Sequence, residues 1–194
     1  MIISSGIPRR DLPLAVDLYW MAFGGKLGRV MGPDLRAKAF IRRVIRPDHA
    51  ICAHSDAGQL LGVAGFKTAQ GALVGGDGRD MRAVYGILGG TWRGLVLTLL
   101  ERDTENRRFL MDGLFVTPPA RGQGVGTALL DAIVQEARHR GYDEVRLDVV
   151  DTNDRARALY EREGFRAIKD ISIAPLHHLF GFQRATAMVR SVDG

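Results

Sequence analysis

The residues best suited to chemistry form a glycine-rich run near the middle of the chain, Arg121-Gly122-Gln123-Gly124-Val125-Gly126. The residues before it predict a strand and a proline-marked turn, and those after it predict a helix. Backbone N–H groups at a helix N-terminus lack partners, glycines let a ligand approach them, and the helix dipole favours negative charge there. The run is therefore a candidate cradle for a pyrophosphate.

The spacing of this run separates it from two other phosphate loops. A P-loop requires Gly-Lys-Ser/Thr, whereas Gly126 is followed by Thr127 and Ala128. A dinucleotide fingerprint requires a third glycine, and that position falls on Thr127. This disfavours a nucleotide-binding oxidoreductase. The run alone leaves two interpretations open, a phosphate site and a tightly packed helix entry.

A second block of residues follows about thirty positions later. Tyr160 comes seven residues after Asn153, which is about two helical turns, so both side chains can face one cleft. A phenol has a pKa of ~10 and is a protonated donor at neutral pH. Tyr160 is therefore a candidate proton donor. The alternative interpretation is that Tyr160 is a core residue beside Leu159 on an amphipathic helix.

Together, the two blocks resemble the GNAT superfamily of acetyl-CoA-dependent N-acetyltransferases. The resemblance covers roughly residues 107–168. The family's loop is Arg/Gln-x-x-Gly-x-Gly/Ala, and the matching residues are Arg121, Gly124 and Gly126. Its downstream pattern is Asn-x-x-Ala-x-x-x-Tyr followed by Gly-Phe, and the matching residues are Asn153, Ala156, Tyr160, Gly164 and Phe165.

The resemblance implies how acetyl-CoA binds. Backbone groups of one strand end hold the pantetheine arm like an added strand, and Tyr160 protonates the departing sulfur. The implied cofactor-binding residues are Leu114, Phe115, Val116, Arg121, Gly122, Gln123, Gly124, Val125, Gly126, Thr127, Asn153 and Tyr160. No cluster of His, Cys, Asp or Glu has metal-site spacing, so no metal is expected.

Two aspartates are candidates for the general base. Strand alternation predicts that Asp112 shares a face with Leu114 and Val116, beside the pantetheine. Asp148 matches a glutamate that relatives acetylating protein N-termini use. Such a carboxylate must be partly desolvated, or act through water, to deprotonate an amine. For each aspartate, an exposed or hydrogen-bonded strand residue remains the alternative.

Hydrophobic periodicity predicts the elements that position these residues. The predicted helices are 12–23, 34–46, 124–140 and 153–164, and the predicted strands are 50–53, 60–68, 109–116, 144–150, 165–173 and 184–189. We expect one α/β (α+β) domain over 1–194, with a mixed, mostly antiparallel twisted sheet flanked by helices. Residues 71–108 predict a helical insertion before the family's fourth strand, with short helices at 81–88 and 92–100 broken at Gly89-Gly90. A substrate cover, a homodimer contact and surface padding are the three roles open to it.

Composition limits the classes of function. The chain has 194 residues, a net charge of +5, 46% hydrophobic and 25% charged residues, which is typical of one soluble globular domain. No run approaches the ~20 apolar residues of a membrane span, and no signal peptide is apparent. Arg42, Arg43 and Arg46 lack interleaved aromatics, which disfavours nucleic acid as a partner. Cys52 is the only cysteine, so we expect a reducing cytoplasm.

The sequence thus predicts an acyltransferase that moves an acetyl group from acetyl-CoA to a primary amine of a small molecule by direct attack. Two alternatives stay open. One is acetylation of protein N-termini or lysines. The other is a non-catalytic regulatory module that binds acetyl-CoA, because a fold alone does not establish a reaction.

Overall fold

The computed structural model describes residues 1–100, 107–174 and 177–193. Its strands are β1 Ile2–Ser5, β2 Ala50–His54, β3 Leu60–Thr68, β4 Gly71–Ala72, β5 Phe109–Val116, β6 Glu144–Val150, β7 Arg166–Ser172 and β8 Arg184–Ser191. Its helices are α1 Leu12–Met31, α2 Asp34–Val44, α3 Gly78–Leu100, α4 Val125–His139, α5 Asp154–Arg162 and the single turn α6 His177–Phe180. No helix in these residues is long and apolar enough to cross a membrane.

The strands form one mixed sheet in the order β1-β2-β3-β5-β6-β8-β7, with β4 paired to β3. Every neighbouring pair is antiparallel except β5 and β6, which run parallel. In that parallel pair, Phe109 lies opposite Val145 and Leu110 lies opposite Arg146. Beyond these residues β5 continues along β3 while β6 continues along β8, so the two strands part. The predicted fold class, a mostly antiparallel sheet flanked by helices, is confirmed.

Helices cover the two faces of the sheet. Helix α4 buries an apolar stripe that includes Leu129 and Ile133 against Phe66 and Phe109. On the other face, α1 packs Leu18 against Phe115 of β5. These layers fix β5 between α1 and α4, and many of the candidate site residues lie along β5 and at the start of α4.

A β-bulge in β5 changes which way its side chains point. Gly65 of β3 pairs with Gly113 and the next residue, Phe66, pairs with Met111, so Asp112 is the extra residue. The prediction that Asp112 shares a face with Leu114 and Val116 is therefore wrong. Those two residues pack on the α4 side, whereas the Asp112 carboxylate lies near Tyr19 of α1. Simple alternation fails here because a bulge shifts its phase by one residue.

The first helix is longer than predicted. The sequence interpretation ends it at Phe23 because Gly24-Gly25 follows, but α1 continues to Met31. A Cβ atom on Gly24 would lie 3.0 Å from the Trp20 ring, so this glycine leaves room for the indole within the helix. Burial of Val30 and Met31 offsets the helix-weakening effect of the glycines.

The segment predicted as an insertion also differs in detail. Its helical residues form α3, which is interrupted at Gly86, where φ is +75°, and not at Gly89-Gly90. A positive φ suits glycine. Gly90 has a different reason to be glycine, because a Cβ atom there would lie 2.6 Å from the backbone of Arg82. Residues 101–106 of the predicted insertion lie outside the described part of the chain.

Candidate functional site

A cleft of about 700 Å³ opens where β5 and β6 part. Its walls come from α1, the ends of β5 and β6, the loop before α4, and α5. The cleft brings together the residues that the sequence singled out, namely Asp112, Leu114, Phe115, Val116, Arg121, Gly122, Gly124, Val125, Gly126, Thr127, Asp148, Asn153 and Tyr160. Gln123 does not line it, since its side-chain amide donates to the Pro119 carbonyl at 2.8 Å.

The glycines of the loop have two separate structural roles. Gly122 and Gly124 have φ angles of +78° and +79°, and Gly124 is the residue from which α4 begins. Gly126 allows α4 to pack closely on α5, because a Cβ atom there would lie 3.1 Å from Leu159 Cδ2. No side chain caps this helix start in the described structure. The first N–H groups of α4 are therefore oriented for a bound anion at the cleft.

Arg121 supplies positive charge at the same end of the cleft. Its Nε donates to the Val116 carbonyl at 3.3 Å, and its Nη2 lies 4.0 Å from Met21 Sδ of α1. The guanidinium thus connects the end of β5 with α1. It is exposed and forms no ion pair with any carboxylate in the described residues, so its charge is available to a phosphate.

Tyr160 lies in the wall that α5 contributes. Its side chain is only 7% exposed, and burial raises the pKa of its phenol to about 12. The ring packs against Phe165 with a centroid distance of 6.0 Å. A phenol with this pKa stays protonated throughout the neutral range, so it can donate a proton but not accept one.

Asn153 combines a cleft position with a structural role. Its Oδ1 accepts a hydrogen bond from the Ala156 N–H at 3.2 Å, which caps the N-terminus of α5. This cap fixes the start of the helix that carries Tyr160. The seven-residue spacing brings Asn153 and Tyr160 to one cleft, as the sequence predicts.

The two candidate bases occupy different environments. Asp148 on β6 is exposed and accepts hydrogen bonds from the buried guanidinium of Arg146, with Nη2 3.2 Å from Oδ1. Asp112 lies on the bulge of β5, near the Tyr19 phenol. Burial raises the pKa of Tyr19, and the Asp112 charge adds to that rise.

Sequence reasoning missed the wall formed by α1. Leu18, Met21, Ala22, Phe23 and Lys26 all line the cleft. Phe23 covers the bulge, because a Cβ atom on Gly113 would lie 2.6 Å from its ring. The amphipathic pattern of the helix was visible in the sequence. It could not distinguish residues facing the core from residues facing a cleft beside the core.

Comparison with known proteins identifies the family to which these features correspond. The family model described as the acetyltransferase (GNAT) family matches residues 13–165. A mycothiol acetyltransferase from Propionibacterium freudenreichii subsp. shermanii is 32% identical over 165 residues, which cover 77% of this chain and 52% of that protein. A thialysine N-epsilon-acetyltransferase from Bos taurus is 32% identical over 79 residues, covering 41% of this chain and 45% of that protein.

The chain thus spans about half the length, or less, of these curated relatives. Among solved structures, an N-acetyltransferase from Staphylococcus aureus Mu50 superimposes with a TM-score of 0.66 at 14% identity. The match covers 98% of this chain and all of that one. At this identity the likeness concerns the fold.

Proposed function

This chain belongs to the acetyltransferase (GNAT) family, and we propose that it transfers an acetyl group from acetyl-CoA to the primary amine of a small molecule. One observation carries the proposal. The cleft between β5 and β6 joins an anion-binding helix start at one end to a protonated, buried Tyr160 in its wall. That combination suits a phosphate-bearing donor whose leaving group needs a proton.

Binding of acetyl-CoA follows from the backbone geometry. We assign the pyrophosphate to the first N–H groups of α4, with Arg121 as its counter-charge. The pantetheine arm extends along Leu114, Phe115 and Val116. These residues pair with β3 on one side, and β6 has parted from them on the other. An added strand is the natural occupant of such a free edge.

The transfer proceeds by direct attack. A carboxylate, Asp112 or Asp148, accepts a proton from the ammonium form of the acceptor, directly or through water. The neutral nitrogen attacks the thioester carbonyl carbon, and a backbone N–H of the β5 end stabilises the oxyanion. The C–N bond forms first, and collapse of the oxyanion then breaks the C–S bond. The Tyr160 phenol gives its proton to the departing sulfur, and the second proton lost by the nitrogen restores the phenol through water.

A small acceptor is supported by the names of the relatives. The names of the two relatives refer to mycothiol and thialysine, both of them small molecules. We place the enzyme in the cytoplasm, since its single cysteine, Cys52, is buried as a free thiol.

The test is CoA release from acetyl-CoA over a panel of amino acids, amino sugars, polyamines and peptides with free N-termini. We expect turnover with a subset of the small amines. Turnover confined to peptides would favour a protein acetyltransferase. A rise in Tm with acetyl-CoA, without turnover on any amine, would favour a regulatory module. The absence of any rise in Tm with acetyl-CoA would contradict acetyl-CoA binding. NAD is the control ligand in this Tm measurement.

A further inference from the structure

Lys26 is a cation in the cleft wall that the reaction described so far does not use. Its ammonium lies 5.8 Å from the centroid of the Phe23 ring, and the side chain is partly buried. Burial also lowers the pKa of Lys26. Across residues 1–100, 107–174 and 177–193, no carboxylate forms an ion pair with it. By contrast, Lys38 on the outer surface pairs with Asp17 at 2.9 Å.

The position of Lys26 along α1 separates it from the phosphate end of the cleft. Met21 lies against Arg121, which belongs to the phosphate loop. Phe23 covers Gly113, farther along the cleft at the bulge of β5. Lys26 follows Met21 by five residues, or about 7.5 Å along the helix axis. Lys26 therefore lies farther from the phosphate loop than Met21 does, toward the end of the cleft that the proposed acetyl-CoA binding leaves for the acceptor.

A partly desolvated cation without a counter-charge is costly, and a bound anion removes that cost. A carboxylate suits a single ammonium, because one charge neutralises the other through a charge-assisted hydrogen bond. An acceptor with a second amine would instead meet repulsion from Lys26.

We propose that Lys26 determines acceptor specificity by binding a carboxylate of the acceptor, so that the preferred substrates are amines that also carry an acid group. This inference rests on the proposed acetyl transfer and specifies its substrate class. Lys26 touches the acceptor at a distance from the reacting nitrogen. Its contribution is therefore to acceptor binding, while the chemical step belongs to other residues.

The experiment compares matched acceptors that differ only in charge. The acceptors are ω-amino acids from glycine to 6-aminohexanoate, each paired with its carboxamide. The variants are Lys26→Met, which removes the charge, and Lys26→Arg, which keeps it. The control is Lys38→Met, which removes the same charge from a site outside the cleft.

We expect the wild type to prefer an acid over its amide by about tenfold or more in kcat/KM. Lys26→Met should abolish that preference, mainly through a higher KM for the acid. Lys26→Arg and Lys38→Met should retain it, and the KM for acetyl-CoA should be the same in all four proteins. An acid-to-amide ratio that Lys26→Met leaves unchanged, or a wild type that prefers amides, would overturn the inference.

Binding gives a second readout that does not depend on turnover. The rise in Tm with each acid and each amide is measured for the protein saturated with CoA. Acids that stabilise the wild type but not Lys26→Met support the role of Lys26 even if no acceptor releases CoA, and that outcome would contradict the proposed transfer alone. Equal stabilisation of both proteins, or none of either, would refute the carboxylate site.

Discussion

In strand β6 the buried guanidinium of Arg146 holds the carboxylate of Asp148, with Nη2 3.2 Å and Nε 3.3 Å from the same oxygen, Oδ1. The arginine side chain is 8% exposed, so Asp148 neutralises a charge that water reaches poorly. An oxygen that already accepts these bonds is less able to take a proton from an amine. Asp148 thus has a structural role, and we take Asp112, on the bulge beside Tyr19, as the base to test.

We predict that Asp112→Asn lowers kcat about 10²-fold and removes the rise of rate with pH, because an amide cannot accept the proton. Asp148→Asn should instead lower the free energy of unfolding by about 1 kcal/mol or more, since it leaves Arg146 without its counter-charge. The measurements are pH–rate profiles and urea unfolding of both variants. If both keep the wild-type profile, neither is the base, and water removes the amine's proton.

Tyr160→Phe should lower kcat by about 10²-fold or more, as expected for the loss of a general acid. Acetyl-CoA binding should remain almost intact, because the ring stays in place against Phe165. Steady-state kinetics and acetyl-CoA titration measure the two effects. The matched control is Tyr142→Phe, a tyrosine that packs on Phe109 outside the cleft. An unchanged kcat for Tyr160→Phe would exclude the acid role.

Two substitutions at Gly124 that have nearly the same shape but differ in charge test the phosphate loop. Its φ of +79° strains most side chains, but Asn and Asp tolerate this region best. Gly124→Asp should abolish the rise in Tm with acetyl-CoA, because its charge repels the pyrophosphate. Gly124→Asn, which has nearly the same shape without the charge, should retain much of it. Equal responses from the two variants would argue against an anion at this helix start.

Regular periodicity accounts for the elements that sequence predicts well. Strands β3, β5 and β6 have the predicted bounds, because alternation and flanking turn residues mark them. The short edge strand β1 was missed, since Ile2–Ser5 carries no pattern of its own and is defined by pairing with β2. The extension of α1 was missed because local glycine propensity is outweighed by packing around Trp20.

The candidate site likewise has residues that the sequence predicts and residues that it does not. The positions of the Arg121 loop and of the pair Asn153 and Tyr160 are predictable because each depends on spacing along one segment. The orientation of Asp112 depends on a bulge that only pairing with β3 reveals. The position of Lys26 depends on how α1 crosses β5. Contacts between distant segments set both, so neither follows from periodicity.

The raised pKa of Tyr160 also predicts how stability depends on pH. The pKa of this phenol is about 12 in the folded protein and 10.0 for the free group. Above pH 10 the folded state therefore holds the phenol proton more tightly than the unfolded chain does. The raised pKa thus contributes to the free energy of unfolding. This contribution is fully present below pH 10 and is lost as the pH rises through 12. Between pH 9 and pH 11 the wild type should lose about 1 kcal/mol more than Tyr160→Phe. Urea unfolding at each pH measures the free energy of unfolding of both proteins. Other titrating groups affect both proteins equally, so their effects cancel in the difference. Parallel curves would show that the phenol ionises as easily in the folded protein as in the unfolded chain, and its role as a proton donor buried in the cleft would lose its support.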